Sequence, residues 1–142
     1  MDVTASLRDL SIRVRALIDT GAPRSIFPRG VGDLLGVEFP TYRLDASKKI
    51  SFLGRDWAAI SETINLHLPP FDDDLGWEAE VDFVMEEQLS LALLGYEGFL
   101  NRWAVTFNAA FGYFVIQPAE DNDEAQSEVL MEDLRRRYPE LG

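Results

Sequence analysis

The chain has 142 residues and a net charge of −12, with 25 acidic residues against 13 basic ones, which fits a single acidic domain. It contains no cysteine and one histidine, so disulfides, thiolate metal sites and cysteine nucleophiles are excluded. An acidic surface repels phosphate backbones, so we expect no nucleic-acid partner. No apolar stretch is long enough for a membrane span, so we expect no membrane partner. Because the start lacks a signal-peptide pattern, we expect a cytoplasmic location.

Alternating apolar positions predict short strands through the first part of the chain. Residues 10–19 alternate apolar with polar side chains and then become apolar on both faces near Ile18, as in a strand that enters a core. A second short strand is expected at residues 25–27. A short helix is expected over residues 28–35, with proline near its start and Gly36 as its C-cap.

Residues 48–68 have the pattern of a long β-hairpin. We expect its arms at residues 50–53 and 57–68, because apolar side chains recur there with a period of two. Its turn is expected around residues 54–56, Gly-Arg-Asp, which carry the chemistry of a turn.

Further strands and one short helix are expected beyond an aspartate-rich loop. The loop, residues 69–76, lacks the residue spacing of a calcium-binding loop, so we interpret it as a solvated connection. His67 precedes it, and since no second histidine and no cysteine could share a metal, we interpret it as a surface or core-edge residue. The expected elements are strands at residues 78–85, 89–94, 105–107 and 113–116, a short helix at 96–103 and a hairpin connection at 108–112.

The last part of the chain, residues 119–142, differs in composition from the rest. It is acidic over residues 120–128 and basic at 135–137, an order of charges that suits a helix. We interpret it as an acidic C-terminal tail or helix, packed loosely on the domain or frayed, rather than as a segment that binds a partner.

The most informative stretch is Asp19-Thr20-Gly21-Ala22, which directly follows the strand that ends at Ile18. A strand that ends in Asp-Thr-Gly places a carboxylate on a sharp turn at the edge of a sheet. The glycine of such a turn permits close approach of backbone or substrate. That setting suits an aspartate that activates water.

A second stretch supports a special role for the first. Leu93-Leu94-Gly95 ends an apolar run much later in the chain. Together the two motifs resemble those of the retropepsin-like aspartic proteases, over roughly residues 10–118. The resemblance implies an all-β fold: a retropepsin-like acid protease barrel with a flap hairpin, one or two short helices and a C-terminal helical extension. The implied domains are a protease domain, residues 1–118, and the acidic tail, residues 119–142.

The resemblance also implies an activity, aspartic endopeptidase, and a set of site residues. Two aspartates would share a proton and activate a water that attacks the peptide bond, which needs no cofactor and no metal. Because the chain has one Asp-Thr-Gly, a second copy must supply the other carboxylate, and we expect a homodimer that acts on a peptide or protein substrate. The implied roles are catalysis by Asp19 and support of the active-site loop by Thr20 and Gly21. Substrate binding is implied for Ala22 of the same loop and for Phe52, Leu53 and Gly54 near the flap tip.

One departure from the family pattern keeps alternatives open. In retroviral relatives an arginine usually follows the later glycine and pairs with an acidic residue just after the catalytic turn. Here Tyr96 and Glu97 follow Gly95, and Arg24 lies after the turn, so we expect a charge-swapped Arg24–Glu97 pair. The alternatives are a non-catalytic peptide-binding or dimerisation module that retains the fold, and an unrelated all-β binding domain.

Overall fold

The computed structural model describes residues 1–46, 48–68 and 76–118, and within these ranges almost all regular elements are strands. The aspartate-rich loop interpreted as a solvated connection and the C-terminal segment expected to be a helix or tail lie outside the described residues. The described elements are β1 (Asp2–Leu7), β2 (Leu10–Ile18), β3 (Ser25–Phe27), α1 (Arg29–Leu34), a 3₁₀ turn (Arg43–Asp45), β4 (Lys48–Phe52), β5 (Arg55–His67), β6 (Gly76–Val84), β7 (Ala92–Leu94), β8 (Trp103–Asn108) and β9 (Tyr113–Pro118).

Six of the strands close into a barrel. Their order around the ring is β1, β2, β7, β3, β6 and β5, and β5 pairs back onto β1 through Thr4 and His67. A closed ring leaves no unpaired edge among its members. The mostly-β barrel with very little helix confirms the fold class expected from the sequence.

The strand β7 is inserted between β2 and β3, although it follows both of them by many residues. It runs parallel to β2, with Ile18 opposite Leu94, and it meets β3 in antiparallel pairing at Ile26 and Leu93. The Leu-Leu-Gly stretch is therefore placed directly beside the strand that leads into the Asp-Thr-Gly turn.

The barrel interior is apolar and accounts for the alternation seen in the sequence. In β6 the side chains at positions 77, 79, 81 and 83 are all buried, and in β1 those of Val3 and Ala5 are fully buried. Burial of such side chains is the main favourable term in folding. The largest side chains with almost no exposed surface are Phe27, Phe83, Phe99, Leu35, Ile64, Leu66 and Leu94.

The short helix and its cap agree with the sequence. The helix α1 is preceded by Pro28 in extended backbone and is followed by Gly36, whose φ of +73° lies in the left-handed region that favours glycine. The amide of Gly36 donates to the carbonyl oxygen of Asp33, which closes the last turn.

The hairpin of β4 and β5, which we call the flap, is confirmed, but its turn is tighter than expected. The strands pair up to Phe52 and Arg55, so two residues, Leu53 and Gly54, make the turn instead of the residues 54–56. Both have positive φ, 51° and 72°, as a two-residue turn of this kind requires. Arg55 therefore belongs to the second arm, where its guanidinium lies 4.0 Å from the centroid of the Trp57 ring.

Two expectations from the sequence are wrong, and one strand was missed. The helix expected at residues 96–103 is a series of turns, because Gly98 has a φ of +90° and Glu97 forms a parallel bridge to Arg24. The strand expected at residues 89–94 is shorter, Ala92–Leu94. The strand β1 was missed, although it pairs along its whole length with the neighbouring β2 as a hairpin and also pairs with distant β5.

The chain divides after Asn101 into two units, and the second contains the hairpin of β8 and β9. The two strands of this hairpin pair from Trp103 and Pro118 to Asn108 and Tyr113, which confirms the expected hairpin with strands longer than the expected residues 105–107 and 113–116. None of the helices in the described ranges is long and apolar enough to cross a membrane. The domain limits 1–118 and 119–142 stay a proposal.

Candidate active site

Asp19 lies on a tight turn at the end of β2. Its amide donates to the carbonyl oxygen of Leu94 at 2.9 Å, which continues the pairing of β2 with β7 by one residue. Its carboxylate Oδ1 accepts a hydrogen bond from the amide of Gly21 at 2.9 Å, and its carbonyl oxygen accepts one from the amide of Ala22 at 3.2 Å. The turn is thus closed partly on the aspartate's own side chain, a typical use of this residue in turns.

The remaining residues of the motif occupy different environments. Asp19 is half-buried and Ala22 is buried, whereas Thr20 and Gly21 are exposed. The Oδ2 atom of Asp19 accepts no hydrogen bond from the part of the chain that the structure describes. An ordered carboxylate with one open oxygen at the surface can bind a water molecule and accept a proton from it.

Two backbone segments, residues 22–25 and 95–97, run side by side next to this turn and are joined by backbone hydrogen bonds. The amide of Tyr96 donates to the carbonyl oxygen of Ala22 at 2.8 Å, and the amide of Glu97 donates to that of Pro23 at 3.0 Å. In return the amide of Ser25 donates to the carbonyl oxygen of Glu97 at 3.1 Å. These hydrogen bonds make the segment after β7 a platform for the Asp19 turn.

Gly95 is required by the close approach of these two segments. A Cβ atom at this position would lie 2.7 Å from the carbonyl oxygen of Ala22 and 2.6 Å from the carbonyl carbon of Arg24, both of which are backbone. The Gly95 amide also donates to the Ser25 hydroxyl at 3.1 Å. The Leu-Leu-Gly pattern therefore has a physical cause: any side chain on the last residue would push the two segments apart.

The expected Arg24–Glu97 pair is present, and it belongs to a larger cluster. Arg24 donates from Nη1 to Glu97 at 2.6 Å, from Nη2 to Glu80 at 2.6 Å and from Nε to Asp82 at 2.8 Å. Asp82 is fully buried, whereas the side chains of Glu80 and Glu97 are about half exposed. Arg24, just after the Asp19 turn, therefore holds carboxylates from both β6 and the platform.

Asp82 is the functional candidate that the sequence did not reveal. Alternation along β6 places it on the polar face with Glu80, yet it is fully buried. Burial alone would raise the pKa of Asp82, but hydrogen bonds from Arg24, Ser61 and Lys48 outweigh it and lower that pKa below its usual range. The hydrogen bond to Asp82 in turn raises the pKa of Arg24. The burial and the charge pairing of Asp82 become evident only from its contacts with Lys48 and Arg24, which are distant from it in sequence.

The three flap residues expected to bind substrate lie together at the end of the hairpin. Phe52 is half-buried and stacks on Trp57 with 5.1 Å between ring centroids, and Leu53 and Gly54 are exposed. Phe52 also packs against a buried cluster that includes Ile26 of β3 and Leu93 of β7. The flap and the strands next to the Asp19 turn thus share one apolar cluster.

Comparison with solved structures gives the same architecture. The chain is similar to a retropepsin-like aspartic protease from Rickettsia conorii, with a TM-score of 0.53 and 15% identity over 84% of this chain and 83% of that chain. It is also similar to EIAV protease in complex with an inhibitor, with a TM-score of 0.46 and 17% identity over 67% of this chain and 78% of that chain. No protein-family model and no curated protein matches the sequence. The first likeness, with the closed barrel, shows that this chain has the retropepsin-like fold.

Proposed function

We propose that this chain is an aspartic endopeptidase whose active site forms between two copies, each of which contributes Asp19. The observation that carries the proposal is the geometry of the Asp19 turn, with its backbone hydrogen bonds to the platform and one carboxylate oxygen left open. The Rickettsia conorii neighbour is itself an aspartic protease, which supports the same reaction class.

The proposed reaction uses one water and two carboxylates. Two acidic groups about 3 Å apart cannot both ionise comfortably, so the pair holds one proton. The ionised carboxylate accepts a proton from the water as its oxygen attacks the carbonyl carbon of the peptide. The protonated carboxyl donates its proton to the carbonyl oxygen. Collapse of the resulting tetrahedral species, with proton transfer to the amine, breaks the C–N bond without a covalent enzyme intermediate.

The other site residues have supporting roles in this proposal. The exposed Thr20 hydroxyl would hydrogen-bond across the dimer and brace the two turns. Gly21 and Ala22 would present backbone groups to an extended peptide, which such clefts bind in the manner of an added strand. Phe52, Leu53 and Gly54 would close over the peptide from the flap.

A pronounced apolar surface on the second unit supports the homodimer. The hairpin of β8 and β9 exposes an unusual number of large apolar side chains for its length, and an isolated two-stranded hairpin is marginally stable in water. Contiguous exposed apolar groups mark interaction surfaces. We propose a second copy as the occupant, because one chain carries half of the catalytic pair. The exposed side chains are Phe107, Phe111, Tyr113, Phe114 and Val115.

The test compares Asp19→Asn with Asp9→Asn, which makes the same chemical change on an exposed turn between β1 and β2. We expect cleavage of a peptide mixture between about pH 4 and 7 to fall by a factor of about a thousand or more in Asp19→Asn, because the base is lost. Asp9→Asn should cleave like the wild type. Cleavage that survives in Asp19→Asn overturns the proposal, and tight peptide binding without cleavage by the wild type favours the non-catalytic module.

Mixing the two forms tests the shared site. When wild type and Asp19→Asn exchange subunits at equal concentrations, about a quarter of the dimers contain two intact carboxylates. If both are needed, activity should fall to about a quarter of that of an all-wild-type sample at the same total concentration. A fall to half would mean that each chain acts alone.

A further inference from the structure

Three segments that are distant in sequence donate to one buried carboxylate. Oδ1 of Asp82 accepts hydrogen bonds from Lys48 Nζ at 2.9 Å and from the Ser61 hydroxyl at 2.7 Å. Oδ2 accepts from Arg24 Nε at 2.8 Å, and Arg24 Nη2 lies 3.2 Å from Oδ1. Charge-assisted hydrogen bonds such as these are stronger and more directional than neutral ones.

The three donors belong to the parts of the molecule that the proposed mechanism must keep in register. Arg24 follows the catalytic turn, Lys48 begins the first flap arm, and Ser61 lies in the second arm near its base. Ser61 is also the strand partner of Asp82 in the pairing of β5 with β6. The second arm is therefore held by backbone hydrogen bonds as well as by the Asp82 side chain.

The first arm lacks that backbone support. Within the described ranges, the one strand that pairs with β4 is β5, so β4 is the outer strand of the sheet. The bond from Lys48 to Asp82 passes over β5 and attaches β4 to β6. An outer strand with a single partner opens more easily than a strand paired on both sides. Lys48 thus supplies a second attachment at the base of the flap.

We propose that Asp82 is a positioning residue that links the flap to the catalytic turn, with Lys48 and Arg24 as the two ends of the link. The effect on catalysis rests on the proposed protease function, whereas the link itself does not. Because both cations bind the same rigid carboxylate, the first flap arm is held at a fixed place relative to the segment that leaves the turn. Loss of Lys48 should loosen the flap without removing the catalytic group.

The charges around Asp82 suit an enzyme that works in acid. Asp82 faces Arg24 and Lys48, and the other Arg24 nitrogens bind Glu80 and Glu97. Since the pKa of Asp82 is lowered in the folded protein, the link is fully present above the ordinary carboxyl range and is lost only as the pH falls through the lowered value. The link should therefore persist at the mildly acidic pH at which an aspartate pair is active.

The experiment compares Lys48→Met with Lys49→Met, the neighbouring lysine on the same strand. Lys49 is exposed and pairs with Asp56 across the hairpin, so its loss leaves the Asp82 link intact. In Lys48→Met we expect amide hydrogen exchange over residues 49–57 to accelerate about tenfold, as loss of a charge-assisted hydrogen bond implies. In Lys49→Met exchange should change by less than about twofold, because exposed pairs contribute little.

Steady-state kinetics add a readout that a merely structural role would not move. In Lys48→Met, KM should rise about three- to tenfold while kcat falls less, because the catalytic pair is intact and the flap closes less readily. Lys48→Arg can donate to the same carboxylate and should restore both exchange and KM to within about twofold of wild type. Failure of this rescue would assign the effect to packing of the lysine stem and would overturn the link.

The two readouts separate the two proposals. Hydrogen exchange needs no catalysis, so equal exchange in Lys48→Met and wild type overturns the link whether or not the protein cleaves peptides. A wild type that cleaves nothing overturns the protease function, while faster exchange in Lys48→Met would still establish the link.

Discussion

The Asp19 turn and the flap tip are held in opposite ways. Beneath the turn, backbone hydrogen bonds join two segments so closely that Gly95 has no room for a methyl group. At the flap tip, Leu53 is 73% exposed in a backbone conformation that bulky residues rarely adopt, and a Cβ atom added to Gly54 would have nothing within 4 Å. The Asp19 turn is therefore held by backbone hydrogen bonds, whereas the flap tip has open space around it and is limited mainly by the positive φ of its two residues.

The difference predicts where substitutions will be tolerated. Groups that contact the reacting atoms favour catalysis when they are held rigidly, because they need no rearrangement during the reaction. A covering hairpin must instead open and close. Substitutions where the Asp19 turn meets its platform should destabilise the whole barrel. Substitutions at the flap tip should alter substrate binding and local stability.

Gly95→Ala should have the largest effect. Its Cβ would meet the backbone carbonyls of Ala22 and Arg24, which cannot move without separating the turn from its platform. We expect a loss of about 3 kcal/mol or more in the free energy of unfolding, measured by denaturant titration. Gly30→Ala is the control, because a Cβ there has open space in the helix α1 and should gain about 0.5–1 kcal/mol. A Gly95→Ala protein as stable as the wild type would contradict the close approach of the two backbone segments at Gly95.

Breaking the Arg24 cluster should have a smaller effect that depends on the partner removed. Arg24→Gln leaves Asp82 buried with less compensation, and should cost about 2–3 kcal/mol of unfolding free energy, measured by the same titration. Glu97→Gln should cost less than about 1 kcal/mol, since its side chain is 53% exposed.

A double-mutant cycle isolates the Arg24–Glu97 pair itself. We expect the two substitutions to couple by about 0.5–1 kcal/mol, as two contacting charged groups at a half-exposed site usually do. Strict additivity would mean that the observed pair contributes nothing to holding the platform.

Leu53→Asn should have the smallest effect on stability, and one of opposite sign. Asparagine tolerates positive φ better than leucine and forms the preferred Asn-Gly turn with Gly54, so unfolding free energy should rise by about 0.5 kcal/mol. If Leu53 contacts substrate, KM should rise at the same time, because an exposed apolar group is lost. A stabilised variant with unchanged KM would remove Leu53 from the substrate-binding set.

The sequence predicted those parts of the fold that depend on local pattern or on a family motif. The strand before Asp19 and the flap were predicted from period-two alternation. The importance of Leu93-Leu94-Gly95 was inferred from the resemblance, and the structure supplies the steric reason for Gly95. The Arg24–Glu97 pair was predictable because retroviral relatives pair an arginine after the later glycine with an acidic residue after the turn. Here the two positions carry the opposite charges.

Most of what was missed depends on contacts between residues distant in sequence. The strand β1 does so only in part, because it forms a local hairpin with β2 and closes the barrel by pairing with distant β5. Asp82 looks like a solvent-facing residue of β6 until Arg24 and Lys48 cover it. The helix expected after Gly95 failed because Gly98 adopts positive φ and Trp77 donates to its carbonyl oxygen, which fixes turns instead.

The late insertion of β7 has a consequence for how the chain reaches its folded state. The strands β2 and β3 are made early, yet neither can complete its pairing until Ala92–Leu94 slides between them. The chain must therefore be synthesised through Leu94 before the ring can close, and the edges of β2 and β3 are open to wrong partners until then. Residues 92–94, three positions in all, complete the assembly, and slow folding with sensitivity to aggregation during synthesis is the expected result of that topology.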